Sequence, residues 1–274
     1  MKKWCLFLSV YLCLCLLAAC GATGSALPGG TPSGEGQTGG ETAEPALVTT
    51  VCRVVDVGDG NQLLLADTES GTIYSLPASA AELLLEDESS GTLADWAPRA
   101  GALAEIAYDG TVLETWPAQF SGVTTVTILP EGVDDLCVLY LRVLEDLWAV
   151  DPGLNGDDLT YIGVDLSQTS LTESEQAAVA WTFAERHGGE LVTGTWDELA
   201  EQGYIDKEHL QWEDGCLFTI TEKPVFGSYD LKPIAFDAQK WRSGLGAYFF
   251  NSCTAAQAED GHWGDYTVGS EAIA

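Results

Sequence analysis

Hydrophobic and polar positions divide this 274-residue chain into three zones. Residues 4–19 are apolar except for Ser9, whereas residues 21–46 contain almost nothing that could be buried. From residue 47 onwards, apolar positions recur with the periods of strands and helices. The pattern predicts a signal segment at 1–19, a disordered Gly/Thr/Ser/Pro linker at 20–46, and a folded region behind it.

Residues 47–130 have the pattern of a small all-β domain. Short β-rich runs are separated by Gly, Asp and Asn turns, and the sequence VGDGN at residues 57–61 is typical of a hairpin. Residues 79–96 break the pattern and are predicted to form a helical or irregular crossing. Short strands at this spacing predict a small closed barrel.

Residues 131–274 have a mixed pattern that begins with helices. Apolar residues at three- and four-residue spacing predict a helix over 133–150. Thr172 and Glu175 have the spacing of a capping box, which predicts a helix from Glu173 to about His187, and Thr195 is expected to cap a shorter one. The rest is strand-like, so we expect helices that cover an antiparallel sheet. The predicted fold class of the chain is therefore α+β.

The apolar run at the start of the chain ends on Cys20. Lys2 and Lys3 precede it, and the sequence LAACG at residues 17–21 resembles a bacterial lipobox. That resemblance implies a diacylglyceryl group on the Cys20 sulfur, cleavage before Cys20, and a lipid anchor on the extracellular face of the cell membrane. Two acyl chains anchor a protein stably where one is marginal. The alternative is an ordinary secretory signal in which Cys20 is incidental.

Two stretches of the folded region resemble known groups of lipoproteins and secreted proteins. Gly110, Glu114, the Trp116-Pro117-Ala118 run and residues 123–129 are similar to the end of a family of small OB-like barrel domains in Gram-positive lipoproteins. The sequence FDAQKWRSGLGAYFFNSCTA in the C-terminal half resembles secreted proteins of gut-dwelling Firmicutes. These groups have no assigned reaction, so the resemblance implies a fold and a location only.

Charge is the most unusual feature of the composition. From Cys20 onwards the chain has 9 basic and 42 acidic residues, a formal net charge of −33. Such a surface repels nucleic acid and anionic lipid headgroups, so we predict neither as a partner and expect membrane association through the Cys20 anchor alone. The acidity is interpreted as an aid to solubility, with attraction of cations or a basic partner as the alternative.

Cysteine usage leaves the oxidation state open. Cys52, Cys137, Cys216 and Cys253 follow the lipobox, and four cysteines outside the membrane allow two disulfides in three pairings. Cys137 falls on the apolar face of a predicted helix and is expected to be a buried thiol. If any pair is bridged, Cys216 and Cys253 are the preferred one.

Sequence motifs give little support for catalysis or for a cofactor. HExxH, GxSxG and SxxK are absent, and His187 is placed to interact with a helix C-terminus. A cysteine nucleophile, Cys216 or Cys253 beside His209 or His262, has no supporting spacing. Asp56, Asp59 and Asn61 could be a weak calcium site, but Asx-rich turns are common for backbone reasons. We therefore predict no metal and no cofactor.

The stretch WRSGLGAYFF is the predicted binding segment. Its aromatic residues cannot all face inwards on one strand, so Trp241 and Tyr248 are candidates for a groove or partner surface. Arg242 could pair with a carboxylate of the chain or hold a ligand carboxylate. We expect a non-enzymatic surface module that binds a protein, peptide or wall component. The alternatives are a small-ligand-binding lipoprotein with a pocket in the C-terminal domain, and a cell-envelope enzyme.

Overall fold

The computed structural model of the chain describes residues 46–58, 61–156, 159–227 and 231–274. The predicted signal segment, Cys20 and the linker up to residue 45 lie outside the described residues. Within these ranges the chain forms two six-stranded sheets, one two-stranded ribbon and four α-helices. In the same part of the chain, none of the helices has both the length and the apolar character needed to cross a membrane.

The first sheet and the ribbon are built from the residues before 130. The strands are β1 (Val48–Gly58), β2 (Gln62–Asp67), β3 (Ile73–Pro77), β4 (Glu82–Leu84), β5 (Leu103–Tyr108), β6 (Val112–Leu113), β7 (Gln119–Phe120) and β8 (Thr125–Ile128). The sheet has the order β3-β2-β1-β5-β8-β4, while β6 and β7 form the ribbon. The predicted hairpin at 57–61 is confirmed, because β1 and β2 pair antiparallel with Gly58 opposite Gln62.

The closed barrel that the strand spacing predicts is wrong, since the first sheet is open between its edge strands β3 and β4. Each outer edge is covered by a neighbouring segment instead. The backbone of Ala118 bonds to β3, and the turn after β4 bonds back to it, with the Gly91 N–H donating to the Leu83 carbonyl at 2.7 Å. The crossing segment also contains the short helix α1 (Leu93–Trp96), whose Trp96 is buried.

The second sheet is mixed rather than antiparallel. It contains β9 (Tyr161–Gln168), β10 (Glu190–Thr193), β11 (Gly215–Lys223), β12 (Lys232–Ser243), β13 (Gly246–Gln257) and β14 (Ser270–Ile273), in the order β10-β9-β11-β12-β13-β14. Strands β11 to β14 pair antiparallel, as predicted, but β9 is parallel to both β10 and β11. Helices connect these three strands, and a helical crossover returns the chain in the same direction. The fold class α+β is confirmed.

The helices of the second half begin close to where the sequence predicts. They are α2 (Leu136–Ala149), α3 (Glu173–His187) and α4 (Trp196–Glu201). At the start of α3 the Thr172 hydroxyl accepts from the Glu175 N–H at 3.3 Å, and the Glu175 carboxylate accepts from the Thr172 N–H at 2.9 Å. Gly188 ends this helix in the left-handed conformation. The capping box therefore fixes the start of α3, as expected.

One hydrophobic core is shared by both sheets. Val55, Leu64 and Ile73 of the first sheet belong to the same buried cluster as residues of α2, α3 and the second sheet. Two polar contacts cross the same junction: Arg53 Nε donates to Glu175 Oε1 at 2.6 Å, and Ser174 Oγ donates to the Asp67 carbonyl at 2.6 Å. The core is thus continuous across the predicted boundary at residues 130 and 131.

All four cysteines of the folded region are buried, free thiols. The favoured bridge between Cys216 and Cys253 is therefore not formed. Cys253 faces Phe236 on β12, and Phe236 in turn faces Glu222 on β11, six residues beyond Cys216. Six residues of strand span about 20 Å, whereas a disulfide needs Cα atoms within about 7 Å of each other.

Candidate functional site

The predicted binding residues lie in the second sheet but are used for packing. Trp241 contacts Trp196 edge-on, with ring centroids 5.7 Å apart, in a small cluster separate from the main core. The Arg242 guanidinium donates to the Glu213 carbonyl at 2.7 Å. Tyr248 packs against the main core, and its hydroxyl donates to the Glu271 carboxylate. The structure does not bring these three side chains together around one cleft.

The weak calcium alternative falls on a turn that is only partly described. Asp56 and Asn61 are described, whereas Asp59 is not. Asp56 Oδ1 accepts from the Arg186 guanidinium at 2.9 Å, so this carboxylate already has a cationic partner. Within the described ranges, no group of three or more His, Cys, Asp or Glu side chains is arranged to hold a metal ion.

A cleft of about 520 Å³ lies between the β1–β2 hairpin and the second half of α3. This volume is within the usual range for small-molecule sites. One wall comes from the first sheet and the other from the helix. The lining residues are Asp56, Val57, Gly58, Gln62, Leu63, Leu64, Ser75, Trp181, Thr182, Glu185 and Arg186.

Helix α3 presents its lining residues because of their spacing. Trp181 and Glu185 are four positions apart, as are Thr182 and Arg186, so the two pairs lie side by side on one helix face. Phe183 and Ala184 lie between them in sequence and are buried in the core. The opposing hairpin contributes Leu64, which lies opposite Asp56 in the sheet register, belongs to the same buried cluster as the α3 residues, and gives the cleft an apolar floor.

Arg186 organises the charges at one end of the cleft. Its guanidinium donates to Asp56 at 2.9 Å and to Glu145 at 3.3 Å, so it links β1, α2 and α3. Glu145 also contacts Nε2 of His187 at 2.8 Å, and the His187 ring stacks on Trp148 with centroids 3.8 Å apart. His187 is thus the last residue of α3, where a cation interacts favourably with the helix C-terminus, and it also contacts α2.

Glu185 differs from these carboxylates because it has no hydrogen-bonded or ion-paired partner among the described residues. Its side chain is exposed at the mouth of the cleft. Asp56 and Glu185 supply two carboxylates to the lining beside a single guanidinium, that of Arg186, which also pairs with Glu145 outside the lining. The mouth of the cleft therefore has an excess of negative charge.

Thr182 contributes a buried hydroxyl to the helix wall. The residue is 2% exposed, and its Oγ1 has no hydrogen-bond partner in the described part of the chain. A buried polar atom without a partner costs about 1–3 kcal/mol. Such atoms are uncommon in folded proteins, and each one requires an explanation. Thr182 lines the cleft, but its Oγ1 is buried beneath the surface of the wall, so the hydroxyl is a cost to stability and not a contact for a ligand.

The cysteine-nucleophile alternative receives no support from the geometry. Burial raises the pKa of the Cys216 thiol to about 12 and that of Cys253 to about 11, which disfavours the thiolate that attacks a substrate. His209 contacts the Asp206 carboxylate at 2.8 Å, and His262 contacts Asp135 at 3.0 Å. The cleft itself combines an indole, carboxylates and an apolar floor, an arrangement suited to non-covalent binding.

Sequence reasoning missed this cleft, although the residues of its α3 wall have a recognisable spacing in the sequence. Trp181 and the charged pair Glu185 and Arg186 lie on one face of a helix that the sequence predicts well. The other wall comes from residues 56–75, more than 100 positions earlier, and no local pattern links the two segments.

Comparison with models of protein families, with curated proteins and with solved structures finds no match for this chain. The interpretation of the cleft therefore depends on its own residues.

Proposed function

We propose that this protein is a membrane-anchored extracellular lipoprotein and that its folded region is a non-enzymatic binding module. The observation that carries the binding role is the open cleft between the β1–β2 hairpin and α3. Its volume suits a small ligand or a short peptide segment, and its polar groups are set around an apolar floor. This location differs from the pocket near Trp241 that the sequence suggests for the small-ligand alternative.

The proposed location depends on the lipobox-like sequence at Cys20 and the segment behind it. Residues 21–46 are rich in Gly, Thr, Ser and Pro, and a flexible chain of that length reaches about 25–30 Å. The acidic folded region would be repelled by anionic headgroups and held near the membrane only by its acyl chains. The resemblance of residues 110–129 to domains of Gram-positive lipoproteins supports the same location.

The anchor can be tested by acyl labelling in a bacterial host that processes lipoproteins. We expect wild-type protein to incorporate a palmitate analogue and to sediment with membranes. Cys20→Ala should lose both properties, while the matched control Cys15→Ala, which removes a cysteine of the signal segment, should behave as wild type. A Cys20→Ala protein that is still labelled and still sediments would contradict the proposed anchor.

The binding role can be tested by placing a photoreactive amino acid at Gln62, which is exposed on the cleft wall. The control position is Glu201, which is exposed on α4 and does not line the cleft. Irradiation of intact cells should give a discrete adduct from position 62 and none from position 201. Equal adducts at both positions, or no adduct from position 62, would count against a binding site in the cleft.

A further inference from the structure

We infer that the cleft binds an organic cation, namely the ammonium of a lysine side chain or of a free polyamine. This inference rests on the proposed binding function and names the ligand class for the same site. The recognising groups are the Trp181 indole and the Glu185 carboxylate, with Asp56 nearby and an apolar floor at Leu64.

The first argument concerns charge. Arg186 is the one cationic side chain that lines the described cleft, and it is already shared between Asp56 and Glu145. Glu185 is exposed beside it with no partner of its own in the described ranges. A net charge of −33 on the chain from Cys20 onwards adds a general attraction for cations. A cationic ligand would therefore meet an uncompensated carboxylate, whereas an anionic ligand would be repelled.

The second argument concerns the aromatic ring. Trp181 is half-buried and lies one helical turn before Glu185, so the indole and the carboxylate are on the same face of α3. An indole face attracts a nearby ammonium through its quadrupole. Trp181 and Glu185 together supply the two kinds of group that hold an organic cation.

The chain contains an example of such a pair with its own lysine in place. Lys207 Nζ lies 5.7 Å from the centre of the Trp196 ring and 3.2 Å from the Asp197 carboxylate. A second lysine, Lys232, lies 5.5 Å from the Trp263 ring. The cleft presents the same combination of indole and carboxylate, and no lysine of the described chain lines it.

Size and lining separate this ligand class from a bare ion. A volume of about 520 Å³ is much larger than an inorganic cation needs, and Leu64 offers no ligand atom to a metal. The methylene chain of a lysine or polyamine can instead pack on this floor while its charged end reaches Glu185. A neutral saccharide could also stack on Trp181, but its affinity would depend neither on the charge of Glu185 nor on salt.

The test is calorimetric titration of the full protein, as its bacterial host processes it, in detergent at low ionic strength. The probes are acetyl-Gly-Lys-Gly-amide, spermidine, the neutral peptide acetyl-Gly-norleucine-Gly-amide, and chitobiose. We expect heat of binding from the lysine peptide, spermidine or both, and none from the other two. Raising NaCl from about 20 mM to about 200 mM should weaken binding, because salt screens exposed charges.

Two matched variants test the assigned carboxylate. Glu185→Gln should weaken amine binding by about fivefold, the value expected for an exposed charge pair. Glu201→Gln removes the same charge from an exposed position on α4 and should leave the affinity within about twofold of wild type. Both residues are exposed and have no partner in the described structure, so folding should be preserved.

Each outcome of the titration supports or overturns the inference. Binding of the lysine peptide alone identifies a basic peptide, and binding of spermidine alone identifies a free polyamine. Equal binding of the norleucine peptide, binding of chitobiose alone, or an unchanged affinity in Glu185→Gln would overturn it. If amines bind while Cys20 is not acylated, the anchor fails and this inference stands. If Cys20 is acylated and position 62 gives an adduct but no amine binds, the proposed anchor and binding site stand and this inference fails.

Discussion

At the scale of single residues, Thr182 combines a stability cost with a position on the cleft wall. Its hydroxyl is buried and has no partner among the described groups. Valine has nearly the same shape and no oxygen to desolvate. Thr182→Val is therefore expected to raise the free energy of unfolding by about 1 kcal/mol, which urea denaturation followed by circular dichroism would measure.

The control for this prediction is Thr182→Ser, which keeps the hydroxyl and removes the methyl group. It should lower the free energy of unfolding by about 1 kcal/mol, because a buried methyl is lost. If Thr182→Val is instead destabilising, the hydroxyl has a hydrogen-bond partner in solution and carries no stability cost.

The cysteines give a second prediction at this scale. Burial raises the pKa of all four thiols, with Cys216 at about 12 and Cys253 at about 11. At pH 8 the mature native protein should therefore react slowly with a disulfide reagent such as DTNB, and it should release four equivalents in urea. Two equivalents in urea would show that a disulfide forms after all.

These raised values also set the direction of a pH effect. A thiol that stays protonated in the folded state contributes stability below its unfolded pKa, and that contribution is lost as the pH rises through the folded pKa. The free energy of unfolding should therefore fall above about pH 9, where the thiols of the unfolded chain ionise.

At the scale of elements, Glu175 connects the start of α3 to the first sheet. One carboxylate oxygen accepts from the Thr172 N–H, and the other accepts from Arg53 on β1. The side chains of Arg53 and Glu175 are 16% and 14% exposed, so this ion pair is largely removed from water. Arg53 also donates to the carbonyls of Gly101 and Gly132, but these neutral acceptors cannot balance the charge of the guanidinium.

Glu175→Gln is expected to lower the free energy of unfolding by about 2 kcal/mol, because a partly buried guanidinium loses its counter-charge. The matched control is Glu173→Gln, which removes an exposed carboxylate from the same helical turn and should cost about 0.5 kcal/mol. Urea midpoints at unchanged m-values would report the difference. Equal losses in the two variants would show that the pair contributes nothing beyond its interaction with the helix dipole.

The elements that the sequence predicts well are those specified by neighbouring residues. The Thr172 and Glu175 box, followed by Gly188, sets both ends of α3, and Asn61 with a positive φ suits the β1–β2 turn. The parallel pairing of β9 with β10 and β11 was missed because it depends on how the helices cross over the sheet. The barrel was predicted from strand spacing, which contains no information about how Ala118 and the turn after β4 cover the sheet edges.

The predicted binding residues show the same dependence on distant parts of the chain. Trp241, Arg242 and Tyr248 stand out in sequence because they are aromatic or basic in an acidic chain, but chemical type does not determine which neighbour a side chain meets. Trp241 meets Trp196, which lies 45 positions away on α4. Locating the cleft requires the contact between α3 and a hairpin that precedes it by more than 100 residues.

At the scale of the whole molecule, the cleft exists because two sheets share one core. Helix α3 packs against β1, β2 and β3 on one side and against β9 and β10 on the other. Its buried residues Val179 and Phe183 belong to the cluster that includes Leu64 and Ile73. The walls of the cleft are thus held by the same packing that stabilises the fold, which makes the site largely preformed.

The high negative charge affects the whole folded region and leads to a last prediction. Self-repulsion among 42 acidic residues favours the expanded chain, and salt screens this repulsion over about 10 Å at 0.1 M. The melting temperature should therefore rise when NaCl is increased from about 20 mM to about 500 mM.

An uncharged osmolyte of equal osmolarity serves as the control for excluded-volume effects. A melting temperature that falls with salt would mean that ion pairs such as Arg53–Glu175 outweigh the repulsion. If the melting temperature rises and amine binding weakens between about 20 mM and about 200 mM NaCl, the excess negative charge opposes folding and attracts the proposed ligand.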